Sequence, residues 1–251
     1  MDKERVQNNR PVVILVEPQL GENIGAVARA MLNCGLRELR LVRPRDGWPN
    51  PAAEAMASGA IEVLTSAEVF EQTKDAVWDL NRLFATTARQ RDLAKKVVTP
   101  NEAAKLFFDT EFEGNNIGFL FGPERSGLIN DDIALADYVI NVPLNPEFSS
   151  LNLAQAVLLV GYEWFQASVM QKKGSRKWGN SELSTIGERE YFYTRLEQHL
   201  NEAGFLYPEE LAPTICRNLR AMFSKATLTN QEIRTLHGIV TALSNYTPDS
   251  K

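Results

Sequence analysis

Six short apolar runs decide what this chain can fold into. PVVILVE (11–17), LRLV (39–42), IEVL (61–64), NRLFATT (81–87), NIGFLFG (116–122) and YVINVPL (138–144) are each too short for a buried helix and rich in Val, Ile, Leu and Phe. Near-continuous apolar character over so few residues marks strands covered on both faces. Helical patterns alternate with them. Ile24, Val27, Ala28, Met31 and Leu32 recur at the spacing of one helix face, with Asn23 suited to the N-cap. PAAEAMASGA is a small-residue helix stopping near Gly59, and TSAEVFEQT has capping-box spacing at Thr65 and Glu68. TPNEAAKLF begins with Thr99 as N-cap, Pro100 at the first helical position and Glu102 three residues on, and LNLAQAVLLVGYEWF is a largely apolar helix. Strands alternating with helices over about 165 residues specify an α/β domain with a parallel sheet.

The pattern then changes. Residues 169–184 are basic and rich in Gly and Ser, as in an exposed linker. From 185 to 251 only helical patterns remain: EREYFYTRLEQHLNEAGF stops at Gly204, and TNQEIRTLHGIVTALSNY opens on a Thr229/Glu232 capping box with Ile233, Leu236, Val240 and Leu243 as its stripe. The organisation expected is therefore 1–168, a linker at 169–184, and a small all-α subdomain over 185–251.

Several function classes are excluded early. No apolar run approaches the ~20 residues of a membrane span, and the first residues lack the features of a secretory signal. Cys34 and Cys216 give no disulfide framework or metal-ligand spacing, and His199 and His237 stand singly as surface or core histidines. A cytoplasmic protein without a metal is expected. Net charge is −5, yet three stretches are locally basic: Arg37, Arg40, Arg43 and Arg45 against Glu38; Lys172, Lys173, Arg176 and Lys177 with no acid; and Arg217, Arg220, Lys225 and Arg234 against Glu232. Each alone reads as a solvated face; together they suggest a polyanion touching several regions.

Three segments lie where a strand hands over to a helix, the place where open α/β sheets bind ligands. EPQLGENIGAVAR holds Gly21, Gly25 and Arg29, the last off the apolar stripe and by periodicity alone a solvent-facing arginine. FLFGPERSGL matches neither GxGxxG nor the phosphate loop; Pro123 removes an amide and Glu124 adds negative charge, which suits a neutral or cationic ligand better than phosphate. It also fits a plain turn. NVPLNPEFSSLNLAQAV carries more short polar residues than a turn needs, with Ser150 or Asn152 able to cap the next helix.

NIGAVAR, FGPERSGL and NPEFSSLNLAQAV, in this order, resemble the three motifs of the SPOUT superfamily of RNA methyltransferases, within it the TrmH group, and most of all the TrmJ-type tRNA 2′-O-methyltransferases and LasT-like proteins. The resemblance spans about residues 11–168 and extends to the helical C-terminal part. It implies an α/β fold whose parallel sheet ends in a trefoil knot, a feature that ordinary topology makes very rare. It implies S-adenosyl-L-methionine (AdoMet) as methyl donor, no metal, a homodimer with the site at the subunit interface, and methylation of a ribose 2′-hydroxyl, at a cytidine or uridine opening the tRNA anticodon loop. Ribosomal RNA is the alternative substrate, and a non-catalytic RNA-binding or ribosome-assembly protein on the same scaffold the alternative class.

By the same resemblance, Asn23, Arg29, Ser150 and Asn152 are the catalytic or RNA-facing positions. Thr86 and Thr87 border the donor pocket, and Leu120, Phe121, Gly122, Glu124 and Gly127 supply backbone and walls around AdoMet. Ile140, Val142, Leu144, Ser149 and Leu151 enclose its adenine and methionyl parts. Arg89 and Arg91 face RNA, joined by the basic Lys172, Lys173, Arg176 and Lys177. Ala26 stands where the family often has Ser, so no hydroxyl acts there. A guanidinium is essentially never deprotonated, so Arg29 is expected to stabilise charge on the attacking oxygen rather than remove its proton.

Overall fold

The computed structural model describes residues 10–87, 95–108, 116–170 and 182–245. Within them one sheet is built from β1 (Val12–Val16), β2 (Leu39–Val42), β3 (Glu68–Phe70), β4 (Arg82–Thr86), β5 (Lys96–Val98), β6 (Ile117–Phe121) and β7 (Tyr138–Ile140), in the order β3-β2-β1-β6-β4-β7-β5. Every pairing is parallel. The apolar runs explain it: all residues of β1, β2 and β6 are buried. The connections from β1 run outward to β2 and β3, whereas β4 and all later strands lie on the other side. The carboxyl ends of β1 and β6 therefore flank a topological switch point.

Helices cover the sheet. α1 (Gly21–Asn33), α2 (Pro51–Ala57), α3 (Ile61–Thr65), α4 (Thr73–Ala76), α5 (Pro100–Phe107), α6 (Asn130–Leu135) and α7 (Leu153–Met170) belong to the same unit. The expected stripe of α1 is buried at Ile24, Val27, Ala28 and Met31. Gly21 and Gly25 let α1 approach its neighbour: a Cβ on Gly25 would sit 2.2 Å from the Ala53 carbonyl oxygen of α2. Thr99 and Glu102 form the capping box read from the sequence.

Three expectations fail. IEVL is not a strand but the helix α3, which buries Val63 and Leu64 side by side. TSAEVFEQT is not a helix; Glu68–Phe70 is the edge strand β3, paired with β2 alone, and the Thr65 hydroxyl turns back to the Glu62 carbonyl. Asn23 is not the N-cap, because α1 begins at Gly21 after Leu20.

The chain divides into two compact units, Met1–Trp178 and Gly179–Lys251. The second contains α8 (Ile186–Glu202), α9 (Ala212–Ser224) and α10 (Asn230–Ser244). Phe192, Tyr193, Ile233 and Val240 form its buried core. Capping boxes start α8 at Thr185 and α10 at Thr229. Arg220 of α9 donates to Glu197 and Glu190 of α8 and lies over the Tyr193 ring.

Candidate active site

The three loops read as motifs meet through one chain of hydrogen bonds. The Glu124 carboxylate, on the loop after β6, accepts from the Gln19 main-chain N–H at 2.9 Å through Oε2 and from Asn23 Nδ2 at 2.8 Å through Oε1. Asn23 Oδ1 in turn accepts from Asn152 Nδ2 at 2.9 Å. Asn152 Oδ1 accepts from the Ala154 N–H at 2.9 Å, and its own N–H donates to Gln155 Oε1 at 3.1 Å, which caps α7. The chain has a direction. An ionised carboxylate can only accept, so Glu124 forces the Asn23 amide to present Nδ2 to it and Oδ1 to Asn152. Each asparagine keeps one amide proton beyond those bonds.

The neighbouring strand ends are tied together. Thr86 Oγ1 donates to the Leu120 carbonyl at 3.0 Å, the Thr87 N–H to the Ile140 carbonyl at 3.0 Å, and Asn141 Nδ2 to the Thr87 carbonyl at 3.1 Å. Leu120, Phe121 and Ile140 have side chains in the core, so only their backbone can meet a ligand. Val142, Leu144 and Leu151 are half-buried, whereas Ser149 and Ser150 are exposed. Part of the polar loop is structural: Asn145 Oδ1 accepts from the Glu147 N–H and its carbonyl from the Phe148 N–H.

Gly122 and Gly127 serve one turn for different reasons. A Cβ on Gly122 would lie 2.3 Å from the Leu128 nitrogen, so the loop folds directly onto it. Gly127 has φ +67°, a left-handed conformation, and donates its N–H to the Pro123 carbonyl at 2.8 Å.

Arg29 is exposed on α1 and, among the described residues, has no hydrogen-bond or ion-pair partner. It is not drawn into the Glu124–Asn23–Asn152 chain. Arg89, Arg91, Lys172, Lys173, Arg176 and Lys177 lie outside the described residues.

The basic stretch 37–45 is a solvated face at Arg37, Arg43 and Arg45, as each patch alone reads, but its charge is locally balanced. Arg37 pairs with Glu62, Arg43 with Glu17 and Arg45 with Asp46. Arg40 is buried against Asp79 and Glu38 and holds the Asp79 carboxyl below the usual carboxylate range by hydrogen bonding, against the effect of partial burial. Every arginine there has a carboxylate partner. Arg220 in the second unit is similarly engaged.

Residues 10–162 match the sequence model of the SpoU rRNA Methylase family, and residues 187–250 match the tRNA methyltransferase TrmJ C-terminal domain. The chain belongs to the SpoU methylase family, in its TrmJ branch. A relative from Pseudomonas aeruginosa strain UCBPP-PA14, the tRNA (cytidine/uridine/adenosine-2′-O-)-methyltransferase TrmJ, is 35% identical over 237 residues, covering 91% of each chain. The crystal structure of TrmJ from Z. mobilis ZM4 superposes with a TM-score of 0.83 at 48% identity, covering 94% of this chain and 99% of that one. A methylase family protein from Haemophilus influenzae Rd KW20 superposes with a TM-score of 0.62 at 31% identity, covering 94% and 96%. Membership in this family agrees with the resemblance carried by the three loops.

Gln19 was silent in the sequence because it acts through its main-chain amide, which any residue but proline supplies. Glu17 and Arg43 were equally hidden, since only the parallel pairing of β1 with β2 brings them together.

Proposed function

We propose that this protein transfers a methyl group from AdoMet to a ribose 2′-hydroxyl of tRNA, at a cytidine or uridine that opens the anticodon loop. The observation that carries the reading is the hydrogen-bonded run Gln19–Glu124–Asn23–Asn152 at the switch point, which joins all three family loops in one direction. The residues around it suit the donor. Half-buried Val142, Leu144 and Leu151 offer apolar walls, Gly122 and Gly127 bare backbone, and no row of amides demands a phosphate. When bound, AdoMet supplies a methyl on a positively charged sulfur, already activated for displacement.

What remains for the protein is placement and charge. The amide protons left on Asn23 and Asn152 are suited to orient the ribose. The guanidinium of Arg29 stabilises negative charge as the hydroxyl loses its proton, and the exposed Ser150 adds a hydrogen bond. Arg29 has no hydrogen-bond or ion-pair partner among the described residues, which leaves its guanidinium available to a site completed in a homodimer. The surface of α7 supports this: Leu158, Leu159, Tyr162, Phe165 and Val169 are exposed at helical spacing, opposite the buried Leu153, Val157, Val160 and Trp164. A helix apolar all round normally has both sides covered. In this reading residues 138–144, the polar stretch after them and the helix from 152 form the knotted clasp, Arg89, Arg91, Lys172, Lys173, Arg176 and Lys177 contact RNA, and the helical unit is an RNA-binding subdomain of a cytoplasmic enzyme.

Ribosomal RNA is the second reading, favoured by the description of the family that residues 10–162 match. The match of residues 187–250 to a tRNA methyltransferase domain favours tRNA. Labelled AdoMet incubated with unmodified tRNA and rRNA, followed by mass-spectrometric mapping of ribose methylation, separates them. Label at a pyrimidine opening the anticodon loop is the expected result; label in rRNA alone, or none with AdoMet demonstrably bound, defeats the proposal.

A further inference from the structure

Two non-glycine residues beside the candidate site have left-handed backbone, Glu17 at φ 47° and Arg43 at φ 46°. They follow β1 and β2 directly and are adjacent, since Val16 stands opposite Val42 in the register. This conformation is unfavourable for any residue with a Cβ and persists only where the surroundings over-determine it. Here each residue holds the other. Arg43 donates from Nε at 3.0 Å and Nη2 at 2.8 Å to Glu17 Oε1, and from Nη1 to the Glu71 carbonyl. Main-chain bonds complete the strap: Glu17 N–H to the Val42 carbonyl, Arg43 N–H to that of Phe70, and Arg45 N–H to that of Pro18.

Stability gives little reason for the arrangement. The two side chains are 39% and 50% exposed, and an ion pair so wet contributes little to folding. Its geometrical effect lies elsewhere. Pro18, with fixed φ, separates Glu17 from Gln19, so the bend at Glu17 sets where the Gln19 amide points. That amide donates to Glu124 Oε2.

We infer that Glu17 and Arg43 are positioning residues for methyl transfer: their ion pair holds the left-handed turn that brings the Gln19 N–H to Glu124 and so fixes the direction of the Glu124–Asn23–Asn152 chain. The inference rests on the methyltransferase reading proposed above. Neither residue is asked to touch substrate.

The test compares Glu17→Ala, Arg43→Ala, their double variant and Glu17→Gly in steady-state methyl transfer to an unmodified tRNA transcript. Each alanine variant should lower kcat roughly ten- to hundredfold through misplacement of the site. The double variant should be no worse than the worse single one. Glu17→Gly should retain more activity than Glu17→Ala, because glycine adopts the bend without the side-chain tie. Independently of turnover, hydrogen–deuterium exchange in the peptide spanning Gln19 should accelerate in both alanine variants. Unchanged kcat and exchange, a glycine variant no better than alanine, or a salt-sensitive rise in KM for tRNA with kcat intact would overturn the inference, the last by making Arg43 an RNA contact. If the wild type methylates no RNA, the methyltransferase reading fails, and exchange at Gln19 still reports on the strap.

Discussion

Substituting Gly122 by alanine should open the turn that builds the site. The added Cβ would lie 2.3 Å from the Leu128 nitrogen and 2.6 Å from the Gly127 carbonyl carbon, both backbone atoms that cannot swing aside. Ordinary contact begins at 3.4 Å, so something must recede by about 1.1 Å, the difference between 3.4 and 2.3. β6 is paired on both sides, with β1 and β4, so the loop yields rather than the strand. Passed along the loop to Glu124 in the direction of Asn23, a shift of that size would stretch their 2.8 Å bond to about 3.9 Å, past hydrogen-bonding distance. Overpacking costs ~1–3 kcal/mol, and a lost hydrogen bond to a carboxylate adds ~1–2 kcal/mol after allowance for its partial exposure. At roughly 2–4 °C per kcal/mol for a chain of this size, the transition of the sheet-containing unit should fall by roughly 4–20 °C. Gly127→Ala meets no atom within 4 Å and suffers only its φ of +67°, so it should cost ~1–2 kcal/mol. Differential scanning calorimetry orders the two variants, and titration calorimetry with AdoMet follows the site. A Gly122→Ala protein that melts no lower than Gly127→Ala and keeps AdoMet affinity would refute the reasoning.

Arg29→Ala should abolish methyl transfer while AdoMet binding measured by calorimetry stays nearly intact, and Arg29→Lys should also fail because a point charge does not reproduce the planar fork. Asp137 and Arg82 are 4% and 3% exposed and face each other at 3.6 Å, and Asp137 Oδ2 also accepts from the Leu83 N–H at 2.9 Å, so Asp137→Ala removes a buried carboxylate and an acceptor together and should cost ~3–5 kcal/mol in urea denaturation. His237 titrates below the usual imidazole range, first because of burial and second because of the nearby Arg195 guanidinium. The folded unit therefore binds that proton less readily than the unfolded chain, so stability is full above about pH 6.5 and declines as pH falls through the lower folded value. Melting of the helical unit between pH 8 and pH 5 should show this decline, and His237→Gln should flatten it.

Much of the fold was legible because parallel strands are buried on both faces and write their apolar character without interruption, as β1, β4 and β6 do. Two strands that escaped the reading lie at the sheet edges. Glu68–Phe70 and Lys96–Val98 each pair with one neighbour and are largely exposed, so neither needs an apolar run. IEVL looked like a strand because two adjacent buried residues fit either a strand or one side of a short helix. The loops of the site were recognisable as family motifs, yet their wiring was not: Asn23 reads as a cap from its type, whereas its partners lie 101 and 129 residues away. Local charge balance was hidden for a related reason. The four arginines of 37–45 look like a patch until folding delivers a carboxylate to each.

Those same separations carry a consequence for timing. A chain growing from its N-terminus makes β1 and α1 early, but Asn23 has no partner until Glu124 and then Asn152 have been synthesised and folded. Closing contacts over such spans is slow relative to forming helices or neighbouring strands. The direction of the amide chain is thus among the last features to be established. A nascent or clipped protein ending short of residue 152 can own most of its sheet and still be inert, so activity measures completeness of the fold and not merely its presence.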